Sequence, residues 1–248
     1  MNEIAIIIPS RLAAERLPNK PLEKINNKQM ILHVYDAAKS TNLGNVYVAT
    51  PDKKILDLVN NHGGKAIKTN FEHNTGTDRV FEVFDTVLNR EAKIIINLQG
   101  DMPNINPDSI KILAEHMKKN SCDIGTLASN LDKETESNDP NIVKVITSNL
   151  IKEGNFSKAL DFFRINDKSI GKNVYHHAGI YAFTNKALLR YVGLKRTKLE
   201  LNRKLEQLRA LENKMNIEVG YLNSTPLSVD TKNDLKRIKD LMKKNEKK

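Results

Sequence analysis

The feature that most constrains the fold is an alternation of short apolar runs with helical patterns that begins at Ile4. Ile4–Ile8 is almost wholly β-branched and apolar, the pattern of a strand covered on both faces. Leu22–Ile25 with Asn26-Asn27 reads as a short extended piece and a turn. Met30–Lys39 carries Ile31, Val34, Tyr35 and Ala38 at helical spacing, Val46–Thr50 is a second strand, and Lys53–Asn61 is a second helix closed by His62-Gly63-Gly64. Ala66–Lys68 predicts a third strand, and the turn His73–Arg79 leads into a helix through Leu88. Lys93–Leu98 is the most strand-like segment, and Asn106-Pro107-Asp108 starts the next helix with a cap and a first-turn proline. Strands and helices alternating at this length predict an α/β fold, mostly parallel, with right-handed crossovers and helices on both faces of a central sheet. Ligands of such sheets bind at the carboxyl ends of the strands, where the loops at 9–21, 74–79 and 99–103 emerge.

Past residue 120 the pattern changes. Asp123–Ser129 and Val143–Thr147 read as strands separated by a polar loop. Ala159–Phe163 and Ala178–Phe183 are further strands, with Lys168–Asn173 a flexible stretch between them. Lys198–Leu211 reads as one helix with Leu201, Leu205, Leu208 and Leu211 on a shared apolar face. Ile217–Leu222 is a late strand, and Val229-Asp230-Thr231 opens a final Lys-rich helix. There is no internal repeat and no Gly/Ser linker. The expectation is one domain over residues 1–248 with a smaller β-containing lobe at roughly 120–220.

A formal charge of +10 on 248 residues suggests an anionic partner, although much of the excess is Lys in surface helices and the tail from Lys232. Nucleic acid fits poorly: with no Trp, seven Phe and six Tyr the chain offers few stacking platforms. The single cysteine, Cys122, excludes an internal disulfide and a cysteine-cluster metal site, and the six histidines show no zinc spacing. No apolar stretch approaches membrane-spanning length and no signal peptide is visible, so a cytoplasmic protein is expected.

The loop after the first strand carries Pro9, Ser10, Arg11, Arg16 and Lys20, with Pro18 and Pro21 keeping it from regular helix. Three cations in the position where parallel sheets bind anions predict a phosphate site; a solvated basic loop is the plain alternative. Gln99-Gly100-Asp101 places a carboxylate at a strand end. Magnesium uses one or two carboxylates plus substrate phosphates, and Asp230 is the best partner for Asp101, with capping of the last helix as its other role. Thr75-Gly76-Thr77-Asp78-Arg79 is either a plain N-cap or a set of hydroxyl, backbone and Arg contacts to a nucleotide. His177 reads first as a structural strand histidine, and Glu206-Gln207 as the polar face of a helix. No nucleophile elbow, P-loop or Gly-x-Gly-x-x-Gly is present.

Together these segments resemble the 3-deoxy-manno-octulosonate (Kdo) cytidylyltransferase family, the CMP-Kdo synthetases. The resemblance rests on Pro9-Ser10-Arg11 with Arg16-Leu17-Pro18 and Lys20-Pro21-Leu22, Thr75–Arg79, Gln99-Gly100-Asp101 with Pro103, Pro140-Asn141 with Val143-Lys144-Val145, His177 with Gly179-Ile180-Tyr181, Leu205–Arg209, and Val229-Asp230-Thr231. It implies a three-layer nucleotidyltransferase fold, a homodimer, and Mg2+-dependent transfer of CMP from CTP to the anomeric hydroxyl of Kdo, for lipopolysaccharide synthesis. On that resemblance Arg11, Arg16 and Lys20 hold the triphosphate, with Pro9 and Ser10 beside them. Asp101 and Asp230 hold the metal, and Arg11, Lys20, Asp101 and Asp230 form the catalytic set. Thr75, Gly76, Arg79 and Gln99 take the nucleotide, while Arg79, Gln99, His177, Tyr181, Glu206 and Gln207 take the sugar.

Three positions depart from the family pattern: Met102 stands where Glu is usual, Asp161-Phe162-Phe163-Arg164 where Tyr-Phe-Ser-Arg is common, and Arg203 where an acid is usual. These bear on the sugar side and the dimer contact. A cytidylyltransferase for another acidic sugar such as a sialic acid, an RNA-binding protein and an inactive relative are the competing readings.

Overall fold

A computed structural model describes residues 3–13, 16–165 and 173–245. The first apolar run becomes strand β1 (Ile4–Pro9), buried along its whole length. After it come a 3-10 turn (Lys20–Leu22), the short antiparallel pair β2 (Lys24–Ile25) and β3 (Lys28–Gln29), α1 (Met30–Ser40), β4 (Asn45–Thr50), α2 (Lys53–Asn61), β5 (Ala66–Lys68), α3 (Gly76–Thr86), β6 (Ile94–Leu98) and α4 (Pro107–Lys119). The chain continues with β7 (Ile124–Asn130), β8 (Lys144–Thr147), β9 (Phe156–Phe163), β10 (Val174–Thr184), α5 (Asn185–Val192), α6 (Lys198–Arg203), α7 (Gln207–Glu212), β11 (Ile217–Leu222) and α8 (Lys232–Asn245).

Two compact units result, one from the stretches before Ile112 and after Thr225, the other from Ile112–Thr225. In the first, β5, β4, β1 and β6 pair side by side, all parallel. Central β1 sets Ile6 opposite Val46 on one side and Ile96 on the other, and all six of its residues are buried, so the β-branched run reads as continuous apolar sequence. Helix α8 returns to this unit. Its Leu235 and Ile238 pack with Leu17, Ile25, Met30 and Val229, a cluster that ties the end of the unit to its beginning.

In the second unit the strands close on themselves: β10 pairs with β7, β7 with β11, β11 with β9, β9 with β8, and β8 again with β10. Only the β7–β11 ladder in this ring is parallel. The sheet is therefore mixed, and the expectation of mostly parallel pairing is corrected here. Among the described residues no helix separates strands β7 to β10, and antiparallel neighbours need no crossover.

Two local expectations are also corrected. The helix over Lys198–Leu211 is two short helices, because Lys204 adopts the left-handed conformation at φ 54°, ψ 45°. Leu205 and Leu208 are buried while Leu201 is 49% exposed, so the four leucines do not share one face. Helix α5 had no counterpart in the sequence reading; Thr184 caps it by accepting from Ala187 N–H, and it buries Ala187, Leu188 and Tyr191. Lys168–Asn173 lies outside the described residues except for Asn173.

Candidate active site

The basic loop is pinned at several points. Ser10 N–H donates to Ala49 O at 2.9 Å, Leu12 N–H to Asp52 Oδ2 at 2.8 Å, and Asn19 N–H to Leu12 O at 3.2 Å. Leu17, 4% exposed, is the apolar anchor, seated in the cluster with Val229 and Ile238. Arg16 precedes this anchor and Lys20 opens the 3-10 turn after it, so burial of one leucine fixes two cations.

Opposite them stand the two aspartates. Asp101 follows β6, and Asp230 precedes α8. Val229 N–H donates to Asp101 O at 2.9 Å and Leu227 N–H to Asn104 Oδ1 at 3.0 Å, which brings the late segment onto the β6 loop. Lys20 Nζ bridges the pair, donating to Asp101 Oδ2 at 2.8 Å and Asp230 Oδ1 at 3.1 Å, while Arg16 Nη2 lies 3.0 Å from Asp230 Oδ2. Burial alone would disfavour the Lys20 charge. The two carboxylates outweigh it and hold the Lys20 pKa above the ordinary lysine value. Asp230 is not the cap of α8: Asp234 N–H donates to Thr231 Oγ1, and Asp234 Oδ2 accepts from Thr231 N–H.

Two carboxylates converging on one cationic point are a donor set suited to a hard divalent ion. The Lys20 ammonium occupies the kind of position such an ion takes, so Asp101 and Asp230 fit magnesium.

At the start of α3 the hydroxyl of Thr75 is committed to a capping box with Asp78. Gly76 lies beside Pro9 and Gln99: a Cβ there would sit 3.5 Å from Pro9 Cγ and 3.8 Å from Gln99 Nε2. A Cβ at Gly100 would be tight, 3.1 Å from Ile31 Cδ1 and 3.3 Å from Pro9 O. Arg79 is buried and donates to Thr69 Oγ1 at 2.5 Å and Asn70 O at 2.8 Å. Burial and the nearby positive Arg11 push its pKa below the ordinary value. The side chains of Thr75 and Arg79 are thus engaged within the protein, and Arg11 and Arg16 are exposed cations among the described residues of the loop. Ser10 Oγ is buried with no hydrogen-bond partner among the described residues, as expected of a group that meets a ligand.

Sequence reading passed over Asn97. It is fully buried in β6, donates to Thr77 Oγ1 at 3.1 Å, and accepts from Gln99 Nε2 at 3.0 Å. It links α3 to Gln99, and its signal was a lone amide inside an isoleucine-rich strand.

In the second unit β10 slips register between Ala178 and Tyr181. Thr126 Oγ1 fills the bulge, donating to Ile180 O at 2.7 Å, and lies 2.9 Å from His177 Nε2, whose N–H donates to it. Burial lowers the His177 pKa to about 3, so the ring is neutral. Tyr181 lies 5.5 Å from His177 between ring centroids, and burial, aided by Glu206, raises its pKa well above the usual phenol value. Glu206 and Gln207 sit at the α6–α7 break. Tyr191 Oη donates to Glu206 O at 2.9 Å, Arg209 lies over the Tyr191 ring at 4.6 Å, and buried Glu200 accepts from Arg209 at 2.8 and 3.0 Å. Two of the family departures meet: Arg203 Nη1 donates to Asp161 Oδ1 at 2.6 Å.

A parallel sheet whose strand-end loops gather cations against paired carboxylates suits phosphate chemistry, as in a nucleotidyltransferase. Comparison with known proteins agrees. The cytidylyltransferase family profile matches residues 5–217. The chain is 41% identical to 3-deoxy-manno-octulosonate cytidylyltransferase of Rhodopseudomonas palustris (strain BisB18) over 96% of both chains. It is 39% identical to the protein of that name from Bartonella henselae over 97% of this chain and 98% of the relative. A solved structure of CMP:2-keto-3-deoxy-manno-octonic acid synthetase complexed with CTP superposes with a TM-score of 0.88 at 35% identity, covering 98% of this chain and 99% of that one. A 4-diphosphocytidyl-2C-methyl-D-erythritol synthase from Anaerococcus prevotii shares the fold alone, with a TM-score of 0.65 at 12% identity. The chain belongs to the 3-deoxy-manno-octulosonate cytidylyltransferase family. No helix among the described residues is long and apolar enough to cross a membrane.

Proposed function

We propose that this chain transfers CMP from CTP to the anomeric hydroxyl of Kdo, releasing pyrophosphate, with Mg2+ as cofactor, as a cytoplasmic homodimer serving lipopolysaccharide synthesis. The observation that carries the reading is the Lys20 bridge between Asp101 and Asp230, which sets a cation and two metal-type ligands at one point. The names of its relatives, and the CTP complex of one of them, support CTP and Kdo as nucleotide and sugar.

The reaction joins the sugar oxygen to the α-phosphorus and breaks the bond to the β-phosphate oxygen, with the hydroxyl proton passing to solvent. Bound between Asp101 and Asp230, magnesium would polarise the α-phosphate and favour the ionised sugar hydroxyl. Arg11 and Arg16 would offset the triphosphate charge, and Lys20 would offset the charge that collects on the pyrophosphate oxygens. Ser10 Oγ donates to a phosphate oxygen, and the backbone at Thr75-Gly76 lines the nucleotide side. Arg79 acts by holding residues 69–71, and Asn97 by orienting Gln99. In the second unit Tyr181, Glu206 and Gln207 serve the sugar, with His177 as the neutral support of the β10 bulge. No covalent enzyme intermediate is required; positioning and electrostatics suffice.

Pyrophosphate release tests this directly, with Mg2+ and CTP, ATP, GTP or UTP, each with Kdo or a sialic acid. CTP with Kdo is expected to give the fastest release. Release no faster than from CTP alone would overturn the proposal, and a sialic acid preference would transfer it to a different acidic sugar.

A further inference from the structure

Away from these residues, three side chains of the second unit with different ligand chemistry meet. They are His116 near the end of α4, Cys122 just before β7 and Glu218 on β11, and their donor atoms all lie within 4.8 Å of one another. His116 Nε2 donates to Glu218 Oε2 at 2.6 Å. Each side chain is held from behind. Glu218 Oε1 accepts from Asn216 Nδ2 at 3.2 Å, and the His116 ring lies flat on Phe156 with centroids 3.5 Å apart. His116 Nδ1 accepts from Asn120 Nδ2 at 3.0 Å. The remaining oxygen, nitrogen and sulfur therefore face one another. The site reaches solvent through the His116 and Glu218 side chains, 11% and 26% exposed, while Cys122 is buried and its thiol contacts Met117 Sδ at 3.4 Å. Supported ligands of this kind, restrained by outer contacts, are what a metal site needs.

We propose that His116 Nε2, Cys122 Sγ and Glu218 Oε2 bind a zinc-class divalent ion, with solvent as the fourth ligand. Imidazole, thiolate and carboxylate together suit zinc and cobalt, whereas magnesium takes oxygen donors, so this site and the Asp101–Asp230 pair select different ions. Bonds of about 2.0–2.3 Å in a tetrahedron put ligand atoms roughly 3.3–3.8 Å apart, so the His–Glu contact opens slightly and the sulfur moves in. No redox change occurs. Cys122 gives its S–H proton to solvent as the sulfur–metal bond forms. His116 shifts its ring proton from Nε2 to Nδ1, and the Asn120 amide turns its oxygen to accept it. Because a thiol must give up its proton to ligate, ion binding releases a proton and tightens as pH rises.

Cobalt(II) is the probe, titrated into the full chain with magnesium in excess. The expected result is a thiolate-to-cobalt charge-transfer band with the visible absorption of four-coordinate cobalt, saturating at one ion per chain and reversed by zinc. Cys122 is the only cysteine, so that band has no other source. Cys122→Ser removes it, and His116→Gln and Glu218→Gln each weaken cobalt binding by roughly tenfold or more. Absence of the band in the wild-type protein at saturating cobalt overturns the proposal, as does a titration midpoint unchanged in both folded glutamine variants.

Discussion

Asp101 and Asp230 would repel each other without the ammonium between them. Asp101→Asn and Asp230→Asn are each expected to lower turnover by about a hundredfold or more, as for lost electrostatic groups at a reacting phosphate. Circular dichroism should stay unchanged, because Thr231 and Asp234 cap α8 whatever stands at position 230. Near-wild-type pyrophosphate release in either variant would remove that aspartate from the metal pair. His177 makes a different prediction. Its folded pKa of about 3 lies below the ordinary value near 6.5, so the unfolded chain binds the extra proton between those limits. Stability should fall as pH drops from about 6.5 toward 3, by up to ~1.4 kcal/mol per pH unit from this one group. His177→Gln should flatten that part of a urea-midpoint profile; an unchanged profile would contradict the assignment.

Among the elements, the C-terminal helix and the basic loop are coupled through Leu17. Leu17→Ala should cost about 2–4 kcal/mol, read from urea midpoints, and should raise KM for CTP more than it lowers kcat. The break at Lys204 gives the opposite sign. A lysine at φ 54° carries a penalty glycine avoids, so Lys204→Gly should raise stability by up to ~1 kcal/mol, and a loss of stability would show that the left-handed turn is not strained. That break also shows where sequence pattern stops being informative. The parallel strands were legible because β-branched runs buried on both faces leave no alternative pattern, and Asp101 and the basic loop drew notice because they follow such runs, whereas Asp230 follows no strand in the structure. The single helix over Lys198–Leu211 failed because leucine spacing cannot register one residue turning left-handed. Asn97 and Thr126 stayed hidden because a buried polar residue declares its role only through partners distant in sequence. Arg203 and Asp161, separate oddities in the chain, became one ion pair once folded.

For the molecule as a whole, the proposed function makes the charge of +10 a source of attraction for an anionic nucleotide such as CTP. Raising ionic strength from about 0.1 M to 1 M shortens the screening length from roughly 10 Å to 3 Å, so kcat/KM for CTP should fall several-fold across that range while kcat changes little. A flat salt profile would confine the attraction to direct contacts. The first unit is also discontinuous: its strands come from before Ile112, whereas Asp230 and α8 come from after Thr225. During synthesis on the ribosome, β1, β4, β5 and β6 are available long before the segment that completes them. Until that segment emerges, Leu17 lacks the apolar surface of α8 and Lys20 has only one of its two carboxylates. The nascent first unit therefore stays incomplete through the translation of the entire second unit, and the Lys20 bridge between Asp101 and Asp230 closes only when the segment after Thr225 emerges.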